Sequence, residues 1–123
     1  MSQQERNELN ELVDRYIALW HEPDAELRRK SIAELWAEDG TQFTRSREIR
    51  GYKALEERVE AAHEEFVKTG GFVFRLASDV DAHHNAVKFS WEMVPTAGGE
   101  AAAAGTIFLL LSDGGRIRFD YQF

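Results

Sequence analysis

The sequence contains no cysteine. That removes disulfides, thiolate nucleophiles and cysteine-ligated zinc or iron–sulfur sites together, and it suits a reducing compartment. A secretory signal is also missing: Met1-Ser2-Gln3-Gln4-Glu5-Arg6-Asn7-Glu8 is polar and mixed in charge, without a basic patch leading into an apolar run. The longest strongly apolar stretch, Ile107 to Leu111, is far too short to cross a bilayer. A cytoplasmic location with no membrane contact is therefore expected. Basic charge is in deficit. The net charge of −7 argues against nucleic acid as a partner, because phosphate binding needs a basic surface to release counterions. Arg45, Arg47 and Arg50 are a local exception, read as a solvated cluster in a loop. No phosphate loop, dinucleotide fingerprint or nucleophile elbow is present, and no cofactor is implied.

What remains is a 123-residue chain, enough for one domain over 1–123 with a real core. Its hydrophobic period changes once. Before Gly71 apolar residues recur at helical spacing; after it they alternate as in strands. Leu9, Leu12, Val13, Tyr16, Ile17 and Trp20 share one side of a helix from about Gln4 to Trp20. Asp24 is placed to cap a second helix, lined by Leu27, Ile32, Leu35 and Trp36, which Gly40 can stop as a left-handed residue. Thr41 to Thr44 is a short extended candidate. A third helix from about Tyr52 to Lys68 carries Leu55, Val59, Ala62 and Phe66, and ends at Gly70-Gly71.

Phe72 to Val80 then reads as a strand, Asp81 to Asn85 as a turn, and Val87, Phe89, Trp91 and Met93 as the apolar face of the next strand. Ala101 to Leu111 and Arg116 to Phe123 complete an antiparallel meander. Segregated helices followed by a meander predict α+β, with the helices on one face of the sheet. Ile107 to Leu111 is apolar on both faces, which predicts that both are covered. A second copy packed through the open side of the sheet would do this, so a homodimer is expected; a central strand in a strongly curled sheet is the alternative.

Several local stretches carry a family likeness. They are Tyr16-Ile17-Ala18-Leu19-Trp20 with Pro23-Asp24, Glu34-Leu35-Trp36-Ala37-Glu38-Asp39-Gly40, Ile49-Arg50-Gly51, and Ala62-His63-Glu64-Glu65-Phe66. Asp81-Ala82-His83-His84, Phe89-Ser90-Trp91-Glu92 and Asp113-Gly114-Gly115-Arg116-Ile117 follow in order. With this order of elements, the chain resembles the SnoaL-like, polyketide-cyclase-like branch of the nuclear transport factor 2-like superfamily over nearly its whole length. The resemblance implies a cone-shaped, curled antiparallel sheet packed on three N-terminal helices, enclosing an apolar pocket. The superfamily holds isomerases, dehydratases, epoxide hydrolases, cyclases and binders, so fold alone does not supply function.

Steroid isomerase chemistry in that superfamily uses a tyrosine of the first helix, a carboxylate base after the second helix and an acid on a late strand. Tyr16 matches the tyrosine. The base position falls on Thr44, which has no accessible conjugate base near neutral pH, and the acid position falls near Thr106 or Ile107. That reaction is therefore not expected. Epoxide hydrolysis would need Arg75, Asp79 and Asp120 to converge, yet Arg75 and Asp79 lie about 13 Å apart along one strand. His63 follows Val59 by four and precedes Phe66 by three, on the apolar side of the third helix, where it can exchange a proton near neutral pH or sit in the core with one hydrogen bond. Asp120 shares a face with Arg118 and Gln122: turned inward it enters the pocket beside His63, turned outward it is solvated.

The candidate catalytic set is thus His63, Tyr16 and Asp120. The candidate pocket set is Tyr16, Trp20, Trp36, Phe43, His63, Phe66, Trp91 and Phe108, mostly apolar with a few polar groups. His83 and His84 point to opposite sides of an extended chain and have no carboxylate spaced to complete a metal site. His21 reads as a helix-end cation matched to the helix dipole. The expected function is binding of an apolar or aromatic small molecule. The alternatives are a cyclase- or isomerase-like enzyme using His63 for proton transfer, and a homodimeric interaction module with an incidental cavity.

Overall fold

The computed structural model describes residues 1–123, and its first two helices begin where a side chain satisfies free backbone N–H groups. Ser2 caps α1 (Gln3–Leu19), its hydroxyl accepting the Glu5 N–H at 3.1 Å. Asp24 caps α2 (Ala25–Leu35) by accepting the N–H groups of Glu26 and Leu27 at 2.8 and 3.1 Å. Between them, buried Arg28 donates to the Glu22 carbonyl at 2.7 Å and holds the connection closed. No helix is long and apolar enough to cross a membrane.

The second helix stops earlier than the sequence indicates. Trp36 turns to extended backbone (φ −101°, ψ 148°) and opens β1 (Trp36–Phe43). Gly40 therefore ends no helix. It lies within β1, beside a break in register between Trp36 and Thr41. A Cβ at Gly40 would stand 2.6 Å from Trp36 Cδ1 and 2.9 Å from the Ala37 carbonyl oxygen. The residue is small because the chain is crowded there. A short β2 (Glu48–Arg50), unread in the sequence, pairs with β1. Then α3 (Gly51–Ala62) runs into a wider π-helical turn, His63–Thr69, and Gly71 (φ +71°) takes the left-handed conformation that starts the sheet proper.

The strands β3 (Phe72–Leu76), β4 (Asp81–His83), β5 (Ala86–Pro95), β6 (Ala103–Leu111) and β7 (Ile117–Gln122) form the curled sheet, in the order β2-β1-β7-β6-β5-β3 with β4 also on β5. The stretch from Phe72 to Val80 is thus not one strand. Ala77 and Ser78 bridge the break by bonding the backbone of Ser90, and Asp81 to His83 pairs with β5 instead of turning. The meander is antiparallel as read, but β1 lies parallel to β7, so the sheet is mixed. A parallel neighbour needs a long crossover, and everything from β2 to β6 supplies it.

The core lies between the helices and the concave face. Val13, Tyr16, Leu19, Ile32, Leu35, Leu55 and Val59 pack on Val87, Phe89, Ile107, Leu109 and Ile117. On β6 the pleat sends Ile107 and Leu109 into this core and leaves Phe108 and Leu110 on the other face, half-exposed. Gly40→Ala tests the crowding at β1. It should cost about 1–3 kcal/mol in urea unfolding, and an unchanged midpoint would show that the bulge can open to admit a methyl group.

Candidate functional site

Tyr16 lies three residues after Val13 and three before Leu19, on the buried side of α1. Its ring is walled by Trp36 (centroids 5.6 Å apart), Phe89 (5.8 Å, edge-on) and Trp20 (6.1 Å). Its hydroxyl donates to Asp120 Oδ2 at 2.6 Å. Asp120 projects from the face of β7 opposite Phe119 and Tyr121, so the face that alternation left open looks inward. Gln42, its register partner on parallel β1, shares that face, as does Gln122 two residues on. Gln42 Nε2 donates to Asp120 Oδ2 at 3.1 Å. Gln122 Nε2 donates to Asp120 Oδ1 and, at 3.0 Å, to the Tyr16 hydroxyl oxygen. Arg58 of α3 closes the row, its Nε donating to Gln42 Oε1 at 3.3 Å.

Burial is the main influence on both titrating members. It pushes the Asp120 carboxyl up to about 6, although the three donors and the Arg58 charge favour the carboxylate. Burial, then the neighbouring Asp120 charge, raises Tyr16 well above the ordinary phenol range. Tyr16 is thus neutral at physiological pH, and Asp120 changes state just below it. The ionised Asp120 holds the phenol proton. Once protonated, Asp120 can donate across the same short contact and free the Tyr16 O–H for another acceptor.

That other acceptor has somewhere to sit. A cavity of about 260 Å³ opens beside Tyr16 and Gln122. Tyr16 and Ile17 of α1 and Trp20 just past its end form one wall, with Arg58, Ala62 and Phe66 beside them. Phe74, Trp91, Met93, Ala103 and Ile107 of the sheet form the other. The Trp91 indole packs closely on its β6 partner Gly105, where a Cβ would come within 2.9 Å of the indole nitrogen. A wider depression of about 410 Å³ between α1 and α2 is polar, and the Arg15–Glu34 pair stands at its edge. It offers little apolar surface.

Of the residues singled out from sequence, Tyr16, Trp20, Phe66 and Trp91 line the cavity, and Trp36, Phe43, His63 and Phe108 do not. Trp36 is fully buried behind Tyr16. Phe43 and Phe108 project from the convex face, packed on Tyr121 at 4.9 and 6.4 Å, because each neighbours an inward residue on its strand. His63 faces the end of α1, its Nδ1 3.1 Å from the Trp20 carbonyl, an oxygen the helix terminus leaves free. It does not meet Asp120, whose partners are Tyr16, Gln42 and Gln122. Arg75 bonds Glu92 on the surface, so Arg75, Asp79 and Asp120 do not converge.

His21 is not a helix-end cation either. Its Nδ1 faces the Ile17 carbonyl at 3.1 Å while its Nε2 accepts the Phe74 N–H at 2.9 Å. An accepting nitrogen requires the neutral ring, and burial lowers its pKa accordingly. Sequence reasoning missed Gln42, Gln122 and Arg58. For Arg58 a signal existed: it falls three after Leu55 and four before Ala62, on the apolar side of α3. The acid expected near Thr106 arrives instead from the next strand, as Asp120.

Stability should follow these two pKa shifts in opposite senses. The raised Asp120 contributes stability that is complete below its unfolded value of 3.8 and lost as pH rises through about 6. The full shift is worth about 3 kcal/mol. The lowered His21 contributes stability present above 6.5 and lost as pH falls. Asp120→Asn removes only the first. Denaturant unfolding at stepped pH should then show stability rising more steeply from pH 4 to 6 than in the parent, and parallel profiles would contradict the raised carboxyl.

No protein-family model matches the sequence, and no curated protein matches it. Solved structures do. An assigned isomerase of the SnoaL-like family from Agrobacterium tumefaciens is 31% identical, with a TM-score of 0.80 over 91% of this chain and 92% of that one. An assigned polyketide cyclase from Sinorhizobium meliloti (15% identical, TM-score 0.68, 92% and 94% covered) shares the fold. So does a de novo designed protein of the nuclear transport factor 2 fold (20% identical, TM-score 0.74, 99% and 85% covered). With its helices, curled sheet and this level of identity to a SnoaL-like protein, the chain belongs to the SnoaL-like family and has the nuclear transport factor 2 fold.

Proposed function

We propose that the chain binds a compact, mostly apolar small molecule that places an oxygen against Tyr16 and Gln122. The observation behind this reading is an apolar cavity with a single hydrogen-bonding end. Its volume of about 260 Å³ is at the lower edge of ligand pockets. An apolar cavity of about 150 Å³ takes up benzene, so the occupant has one or two rings. A bicycle burying about 200 Å² of apolar surface gains about 5 kcal/mol before the cost of losing its free motion, and the polar end supplies the rest.

A second reading, an isomerase- or cyclase-type enzyme, is favoured by the Tyr16–Asp120 contact and the assigned activity of the 31% identical relative. A phenol freed by protonated Asp120 would polarise a bound carbonyl and steady the negative charge that develops on its oxygen. Neither an imidazole nor a carboxylate lines the cavity to take a proton from carbon, which is why binding ranks first and His63 is not assigned a step. We also propose a second copy of the chain as the cover for the convex face, where Phe43, Phe108, Phe119 and Tyr121 stack half-exposed.

The enolisable bicyclic ketone 2-tetralone tests the first two readings. It should raise the melting temperature and alter tryptophan emission, and Ala103→Leu, which fills the cavity, should abolish both. No response to 2-tetralone, or an unchanged response in Ala103→Leu, would sink the binding reading. Deuterium uptake at the α-carbon in D2O, faster than in buffer and lost in Tyr16→Phe, would establish the enzyme. For the convex face, sedimentation should give a dimer that Phe108→Lys dissociates; a monomer at all concentrations refutes it.

A further inference from the structure

Ten of the twelve residues around the cavity are hydrophobic, and one of the other two is a cation. Arg58 reaches it from α3 as a half-buried side chain. A guanidinium carries five N–H donors, and here only Nε is engaged, by Gln42. The chain has 22 acidic side chains, and six ion pairs form among its charged groups, but none includes Arg58. The one carboxylate in its row, Asp120, is separated from it by Gln42 and already holds three donors. Arg47, on the loop after β1, opposes its charge, while Asp120 and Glu65 attract it from beyond ion-pair distance. A charge half removed from water and left unpaired is costly, and a planar fork of free N–H groups is the geometry that receives a carboxylate in two parallel bonds.

We infer that the occupant of the cavity is an anion: a one- or two-ring apolar acid whose carboxylate is received by the terminal N–H groups of Arg58. This rests on the binding reading above and sharpens it. The apolar body lies between Trp20, Phe66, Phe74 and Trp91, with the charge at the Arg58 side. Arg58 is thereby a specificity-determining residue, and neutral molecules of the same shape are disfavoured because they leave its charge unpaired.

A matched pair of probes, 2-naphthoate and methyl 2-naphthoate, separates charge from shape. At pH 7.5 the acid is fully ionised and the ester is neutral. Titrations followed by tryptophan emission should show the acid binding at least about ten-fold more tightly to the parent protein. Arg58→Gln should erase that advantage by weakening the acid, with the ester binding no more weakly than before, and its own melting curve recording that it folds. Equal affinities in the parent protein, or an advantage that survives in Arg58→Gln, would overturn the inference. So would an equal weakening of both probes, which would reduce Arg58 to an orienting partner of Gln42. Ester binding without an acid advantage overturns this inference alone; failure of both probes overturns the binding reading with it.

Discussion

The contact on which the rest of the molecule turns is the short hydrogen bond between Tyr16 and Asp120. It joins the last turn of the first helix to the last strand, through residues 104 apart in sequence. A carboxyl at zero exposure is tolerable only if it is neutral or fully solvated by the protein. Asp120 is near the balance of the two, with three donors gathered from α1, β1 and β7. Gathering them requires β1 to lie beside β7, which is why the sheet is mixed. The same strand register brings Gln42 level with Asp120 and, through it, draws Arg58 of α3 into the row.

Polar satisfaction and cavity formation are therefore one arrangement. The aromatic residues around Tyr16 fill the space behind it, and the space in front stays open because the sheet curls away from the helices there. Two tethers set the outer rim. His63 joins α3 to the end of α1, and His21 joins the end of α1 to β3 through the Phe74 amide. Both histidines serve backbone groups at a helix end or a sheet edge, His63 the Trp20 carbonyl and His21 the Phe74 amide of edge strand β3. Their chemistry is structural in these contacts, and the polar face of the cavity comes from a phenol, an amide and a guanidinium.

The fold was largely legible in the sequence, and the reasons are local. Val13, Tyr16, Ile17 and Leu55, Val59, Ala62 mark helix faces by spacing, Asp24 marks a cap, and Gly71 marks the change of period. What failed depended on contacts distant in sequence. Gly40 reads as a helix stop, yet it is set by the approach of Trp36 and Ile117. Phe43 and Phe108 read as pocket residues because an aromatic side chain does not declare which face of a strand it occupies. Asp120 could not be turned inward from alternation alone; its neighbour Gln42, on a strand more than seventy residues earlier, decides that. Four of the cavity's five aromatic residues were recognisable, all but Phe74, whereas its polar end depended on a strand pairing that no local pattern encodes.

The π-helical turn from His63 to Thr69 has a bearing on how such a cavity changes over evolutionary time. A π turn is an α-helix that has taken in one additional residue. Because the wide turn absorbs that residue locally, its loss would restore the tighter winding and change which side chain stands at each position of the turn. Phe66 would leave the wall and another residue would replace it, with the sheet untouched. One codon, gained or lost in this segment, is a sufficient unit of change to give related chains differently shaped chambers on the same frame.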